Sequence, residues 1–314
     1  MKVVALAGVV GGAKLVYGLA KTLSSEELVV IVNTGDDFDY LGLRICPDLD
    51  TICYTLAGLS NPKTGWGRDQ ESWNFLAEIK QLSQEDWFHV GDKDLATHVY
   101  RTDELNKGVL LHEVVNKLCS KWVIKHQVLP MSDQSIMTVV DTVEFGELSF
   151  QEYFVKHQCE PTLRNIRFAC EELPVATPGL LEAIQESDAV IICPSNPWLS
   201  IDPILSIPEI IQTINQKRTV AISPIIGGKA LKGPASKIFS ELGISPSSVA
   251  VANHYKGIID TLFVDHKDNN LIDEIQKTGI SPIVTNTIMN SNHERLQLAN
   301  DVLNYIKEEL IFNQ

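Results

Sequence analysis

Short runs of β-branched and aliphatic residues return at positions 3–6, 28–32, 189–193, 219–223 and 262–264, with helical patterns between them. No other feature constrains the chain as strongly. Strands that alternate with helices pair in parallel, because a parallel neighbour is reached only through a long crossover, and a helix supplies it. After the first run, residues 13–23 place Leu15, Leu19 and Leu23 on one helical face, with Tyr17 and Lys21 between them, so residues 1–33 read as one βαβ unit.

Between Asn61 and Lys125 the β-branched runs give way to helical patterns, such as 72–79 and 110–122, which reads as an insertion. Residues 136–150 alternate in polarity and reverse at Phe145-Gly146-Glu147, as a hairpin does. The α/β rhythm resumes at Thr177 and closes in a helix over 294–310, whose apolar residues mostly share one face. The expected architecture is α/β: a Rossmann-like, mostly parallel sheet over 1–60 and 126–314, with a helical insertion subdomain over 61–125.

With 314 residues and 44% hydrophobic content, the chain can bury a large core. A formal net charge of −14 argues against nucleic acid as a partner, so a phosphate-bearing ligand must be held by local amides and a few cations. Six scattered cysteines show neither a zinc spacing nor a disulfide framework and read as reduced thiols. No stretch reaches the roughly 18 apolar residues of a membrane span. A soluble, cytoplasmic protein is expected.

Four strand ends carry residues suited to chemistry. The first turn, Gly8-Val9-Val10-Gly11-Gly12-Ala13-Lys14, suits backbone amides approaching phosphate with Lys14 as a cation, although a tight structural turn uses the same glycines. The second strand ends in Asn33-Thr34-Gly35-Asp36-Asp37. Its carboxylates beside a phosphate site suit Mg²⁺, while Asx hydrogen bonding in a surface turn is the alternative. Pro47-Asp48-Leu49-Asp50 suits a loop leading into a helix over 50–59, with either Asp as helix cap, metal ligand or proton acceptor. Ser195 and Asn196, between two prolines, suit a base or ribose, and Ser223 with Gly227, Gly228 and Lys229, followed by Lys232-Gly233-Pro234, suits a second phosphate loop. Gly65-Trp66-Gly67 offers an aromatic plane or an ordinary packed loop. Lys93 and His98 stand on one short stretch that also reads as a capped helix. The convergence suggests a nucleotide cleft with an acidic metal corner.

Taken in order, LAGVVGGAKL, NTGDDF, CPDLDT, GWGRDQ, GDKDLATH, LPMSD, PSNPWLSIDPIL and SPIIGGKALKGPA resemble the 2-phospho-L-lactate transferase family over nearly the whole chain. Val9 stands where the family usually has a further glycine. The resemblance implies transfer of a lactyl-phosphate or enolpyruvyl-phosphate group from a guanosine diphosphate conjugate to the ribityl hydroxyl of the deazaflavin Fo, with release of GMP. This is a step of coenzyme F-420 biosynthesis. It further implies Mg²⁺ as cofactor and a homodimer; Asp36 and Asp37, as carboxylates beside the phosphate loops, are the residues expected to hold the metal. By the same resemblance Asp50 and Lys93 meet the deazaflavin, with Asp50 the catalytic group, and Gly8, Gly11, Gly12, Lys14, Asn33, Ser195, Asn196, Ser223, Gly227 and Gly228 serve the nucleotide. Two other readings fit a βαβ start: a non-catalytic nucleotide-sugar-binding regulator of related fold, and a nicotinamide dehydrogenase. The latter is disfavoured by the broken glycine fingerprint and by acids that come as a cluster.

Overall fold

The computed structural model describes residues 1–83, 86–230, 241 and 243–312. Seven strands make one sheet: β1 Val3–Ala7, β2 Leu28–Val32, β3 Gln127–Pro130, β4 Ala189–Ile192, β5 Thr219–Ile222, β6 Thr261–Asp265 and β7 Ser281–Thr285. Their spatial order is β3-β2-β1-β4-β5-β6-β7, with every neighbouring pair parallel. The chain builds outward from β1 to β3, then returns to β4 and builds the other way. Open α/β sheets bind ligands where the order reverses, beyond the strand C-termini, which here means the ends of β1 and β4.

The α/β expectation therefore holds, with two strands more than the β-branched runs marked. β7 contains Pro282, which removes a ladder donor and is tolerated because β7 lies at the sheet edge. β3 has four residues, ends in Pro130 and forms the opposite edge.

The helices that matter for the site are α1 Val10–Thr22, α2 Pro47–Leu56, α3 Asn74–Leu82, α4 Asp92–Asn106 and α5 Leu111–Lys121. One face of the sheet packs on α1, α2 and the C-terminal helix Asn292–Phe312. Gly18 permits this: a Cβ there would stand 2.2 Å from the Arg295 carbonyl oxygen, so a larger residue would push the two helices apart. The other face buries aliphatic residues such as Ile184, Ile204 and Ile210. α2 begins three residues earlier than its sequence pattern suggested, because Pro47 suits the first helical position, where its missing N–H is no loss. Asp48 and Asp50 thus both lie in the first turn of α2.

Residues 61–125 hold α3, α4 and α5. Between β3 and β4 lies a three-stranded antiparallel sheet, in which Met137–Thr142 pairs with Gly146–Ser149, the expected hairpin, and with Leu163–Ala169, a strand its sequence did not announce. A second hairpin, Phe38–Tyr40 with Leu43–Ile45, follows the acidic turn. The Lys232-Gly233-Pro234 segment lies outside the described residues. All six cysteines are free, and no described helix is long and apolar enough to cross a membrane.

Candidate functional site

β1 ends at Ala7, and the chain turns through Gly8 and Val9 into α1. The Gly8 amide donates to Ser195 Oγ at 3.0 Å and so joins the ends of β1 and β4 across the reversal point. A Cβ on Gly8 would lie 2.4 Å from Ser200 Cβ, on Gly11 2.1 Å from the Pro194 carbonyl oxygen, and on Gly12 2.6 Å from Ser195 Oγ. These glycines let two loops close on each other, which places their amides and Ser195 at one point. Asn196 caps the turn Pro197–Ile201 by accepting from the amides of Trp198 and Leu199 at 3.0 and 3.3 Å. Lys14 is half-buried on α1, and Val9 caps that helix without a side-chain bond.

The second glycine-rich turn is built differently. Gly227 and Gly228, at φ 58° and 71°, form the tip of the hairpin Ile225–Ile226 with Lys229–Ala230, and the Gly227 amide already donates to the Asp268 carboxylate at 3.0 Å. Ser223 Oγ is buried and bonds to Ile225 and Ser248. These residues carry a packed turn of their own, apart from the contacts that gather Gly8, Gly12 and Ser195.

Four buried aspartates crowd the edge beyond β2. Asn33 is fully buried and organises them: its Oδ1 accepts from the Gly35 amide at 2.8 Å, and its Nδ2 donates to Asp48 Oδ2 at 3.0 Å and to the Leu199 carbonyl at 3.4 Å. Asn33 thereby ties the ends of β2, α2 and the Ser195 loop together. Asp36 and Asp37 are buried in the turn that follows. Burial pushes Asp36 well above the usual carboxylate range, and the charges of Asp48 and Asp37 add to it. Burial likewise raises Asp37 to about 8 and Asp48 to about 7, the latter against hydrogen bonds from Asn33 and the Val9 amide. Oδ1 of Asp36, Asp37 and Asp48, with Thr34 and Thr138 Oγ1, is buried without a hydrogen-bond partner among the described residues. Buried polar atoms are almost always satisfied, so this concentration points to a group from outside the chain.

Asp50 sits two residues on from Asp48, toward another side of α2 and in a different environment. Arg101 of α4 donates through Nη2 to Asp50 Oδ1 and through Nη1 to the Arg44 carbonyl at 3.2 Å. Burial raises the Asp50 carboxyl, while Arg101 and His98 oppose that rise. His98 places Nδ1 3.6 Å from Asp50 Oδ2 and Nε2 3.6 Å from Asp94 Oδ2. Tyr54 donates to Asp94 Oδ1 at 2.6 Å. Burial works to raise Asp94, but His98, Tyr54 and Arg101 outweigh it and hold the group below its ordinary range. Asp50, Asp94 and His98 also form a set whose ligand atoms lie within 4.8 Å of one another. Asp36 and Asp37 stand outside it.

Two crossed caps fix α4. The Glu71 carboxylate accepts from the Lys93 and Asp94 amides at 2.9 Å each, at the start of α4. Asp92 in turn accepts from the Asn74 and Phe75 amides at 3.2 and 2.9 Å, at the start of α3. The Ser72 hydroxyl and those amides hold the Asp92 carboxyl down to about 2. Lys93 Nζ donates to the Asp69 carbonyl at 2.9 Å. Beside these caps lies a cleft of about 220 Å³, lined by Trp66, Arg68, Glu71, Trp73, His89 and Asp94 among others. Trp66 and Trp73 are 48% and 47% exposed, unusually open for tryptophan. Arg68 stacks over Tyr54 and Trp122, at 5.0 and 5.7 Å from the ring centroids. Arg101 and the bridging position of His98 were missed from the sequence. Their signal was the spacing 94, 98, 101, which puts Asp94, His98 and Arg101 on one face of a helix.

The sequence profile of the family described as 2-phospho-L-lactate transferase CofD matches residues 3–303. The chain belongs to that family. Membership supports an enzymatic role, since the family is one of transferases. A phosphoenolpyruvate transferase of Streptomyces griseus is 38% identical over 287 residues, covering 89% of this chain and 90% of its own length. A 2-phospho-L-lactate transferase of Methanococcoides burtonii is 36% identical over 296 residues, covering 94% and 95%. Protein BH3568 of Bacillus halodurans, known by crystal structure, matches with a TM-score of 0.63 at 16% identity over 96% of this chain and 99% of its own, which shows the shared fold. In this CofD-family chain, residues far apart in sequence, Gly8, Asn33, Asp48 and Ser195, meet at the point where the strand order reverses.

Proposed function

We propose that this transferase moves a 2-phospho-L-lactate or phosphoenolpyruvyl group from its guanosine diphosphate conjugate to the terminal ribityl hydroxyl of Fo, the 8-hydroxy-5-deazaflavin, and releases GMP, a step of coenzyme F-420 biosynthesis. The observation that supports the reading is the row of buried aspartates that runs from the joined ends of β1 and β4 toward a tryptophan-bearing cleft, in a chain of this family. The ribityl oxygen attacks the phosphorus that bears the three-carbon acid. The bond from that phosphorus to the bridging oxygen breaks, and the electron pair leaves with GMP. Such a reaction depends on positioning and on stabilising charge at the equatorial oxygens. Asp50 orients the hydroxyl and takes its proton, the amides and Ser195 at the ends of β1 and β4 face the diphosphate, and the cleft beside Trp66, Trp73 and Lys93 accepts the deazaflavin ring.

The unpartnered oxygens of Asp36 and Asp37, buried and with raised carboxyl values, fit a divalent cation, and these two residues would hold Mg²⁺. When bound, Mg²⁺ supplies positive charge beside the transferred phosphoryl group. The test is to incubate the protein with Fo, Mg²⁺ and each donor, alone and in competition, and to follow product mass and GMP. Formation of a phosphodiester of Fo with stoichiometric GMP is expected; no product with either donor sinks the proposal. Asp50→Asn is expected to lower kcat by about 10²- to 10⁴-fold with Fo still bound, as loss of a proton-transfer group does.

A further inference from the structure

We infer that His98 is a positioning residue that couples the tryptophan-bearing cleft to the carboxylate of Asp50. The inference rests on the assignment of Asp50 as the group that meets the acceptor hydroxyl. His98 is 1% exposed, yet its Nε2 and Asp50 Oδ2 both lack a hydrogen-bond partner among the described residues. Buried polar atoms left unsatisfied are costly, so the arrangement needs a reason beyond packing. The geometry supplies one. The ring lies between two carboxylates on different helices, with Nδ1 3.6 Å from Asp50 and Nε2 3.6 Å from Asp94. Asp94 lines the cleft and Asp50 is the buried end of the series. Both gaps exceed hydrogen-bonding distance by a few tenths of an ångström, and catalytic contacts that are long in a ligand-free site tighten when substrate fills it. A small approach of α4 to α2 on cleft occupancy closes the gap from His98 to Asp50 and fixes the free oxygen of Asp50 where the hydroxyl arrives, while the gap to Asp94, on the same helix as His98, closes by side-chain rotation.

The same three side chains have the composition of a cation site, and the charges around them decide against it. Arg101 Nη1 lies 3.4 Å from His98 Nδ1, and Nη2 is bonded to Asp50. A guanidinium cannot be deprotonated in a protein, so any cation seated here would face a fixed positive charge. Asp50, Asp94 and Arg101 are the charged groups that face the ring, and Tyr54 reaches it through Asp94.

Two substitutions separate the contacts. His98→Asn keeps a nitrogen near the Nδ1 position toward Asp50, whereas His98→Gln keeps one near Nε2 toward Asp94. Steady-state transfer would be measured for both, with His98→Ala and Asp50→Asn, alongside melting temperatures. His98→Gln is expected to lower kcat by about 10- to 100-fold with little change in the KM for Fo, the size typical of removing a group that orients a reacting one. His98→Asn is expected to raise the KM for Fo and to keep more of kcat than His98→Gln, with the donor KM unmoved in both. Equal effects of the two variants on kcat and KM, tracking only their melting temperatures, would overturn the inference. So would a change in the number of Mn²⁺ ions bound on replacing His98, which would make the cluster a metal site. If Asp50→Asn is inactive while all His98 variants match the parent, this inference alone fails; if Asp50→Asn is fully active, the underlying assignment fails.

Discussion

Two acidic clusters share one edge of the sheet, and they are neutralised in different ways. Asp36, Asp37 and Asp48 are buried with partnerless oxygens, and burial raises all three carboxyls. Asp50 and Asp94, a few residues or one helix away, have Arg101 and His98 against them. Burial favours protons on the first cluster, whereas the second is faced by the fixed guanidinium of Arg101. The difference suits the proposed division of labour. A site meant for a metal and a diphosphate leaves room for incoming charge of both signs, whereas a site meant to orient a neutral hydroxyl is balanced before substrate arrives.

The most severe way to break this contrast is to remove the cation that the second cluster owns. Arg101→Leu leaves Asp50 buried without its partner and is expected to cost about 3–5 kcal/mol of folding stability in urea titration, the usual penalty for an uncompensated buried charge. Adding Asp50→Asn to it should recover much of that loss, and failure to recover would mean that Arg101 acts through packing alone.

The first cluster is probed by pH. A carboxyl whose folded value is raised keeps a proton that the unfolded chain has already released, so its stabilising effect is complete below about 4, the unfolded value, and is lost as pH climbs to the folded value. With Asp48 at about 7, Asp37 at about 8 and Asp36 raised as well, the melting temperature in metal-free buffer should fall steadily from about pH 4 through about pH 8. Asp37→Asn should flatten that decline, and Mg²⁺ should offset it; a profile that rises with pH would contradict the contrast. The smallest effect is expected at the frame both clusters share. Asn196→Ala removes the cap of the turn Pro197–Ile201 and should cost about 1 kcal/mol, with the donor KM rising more than the KM for Fo.

Much of the fold was legible because the periodic signal is strong where burial is two-sided. β1, β2, β4, β5 and β6 are nearly continuous apolar runs, while the edge strands β3 and β7 carry prolines and partial exposure that blur the pattern. The acidic corner was legible as composition, since clustered aspartates at strand ends are visible in a string of letters. Its internal division was not. Asp50 and Arg101 are 51 positions apart, and only the packing of α4 on α2 makes them a pair. The glycines show a different limit. Gly11 and Gly227 look alike in sequence, yet one is required by a carbonyl 2.1 Å from its missing Cβ, and the other by a left-handed turn in which a Cβ would meet only Lys267, at 3.7 Å.

The crossed caps of α3 and α4 bear on how the acceptor side assembles. Each helix start is satisfied by a carboxylate that the other segment supplies, Asp92 to α3 and Glu71 to α4. Neither helix can slide by a residue without stripping the amides of its neighbour, so the two are expected to open and close as one cooperative unit, which hydrogen exchange would show. Under the proposed function, a chain of this design would adapt to a new acceptor through the loop that carries Trp66, while the helix starts behind it, with Trp73 as the N-cap of α3, stay in register.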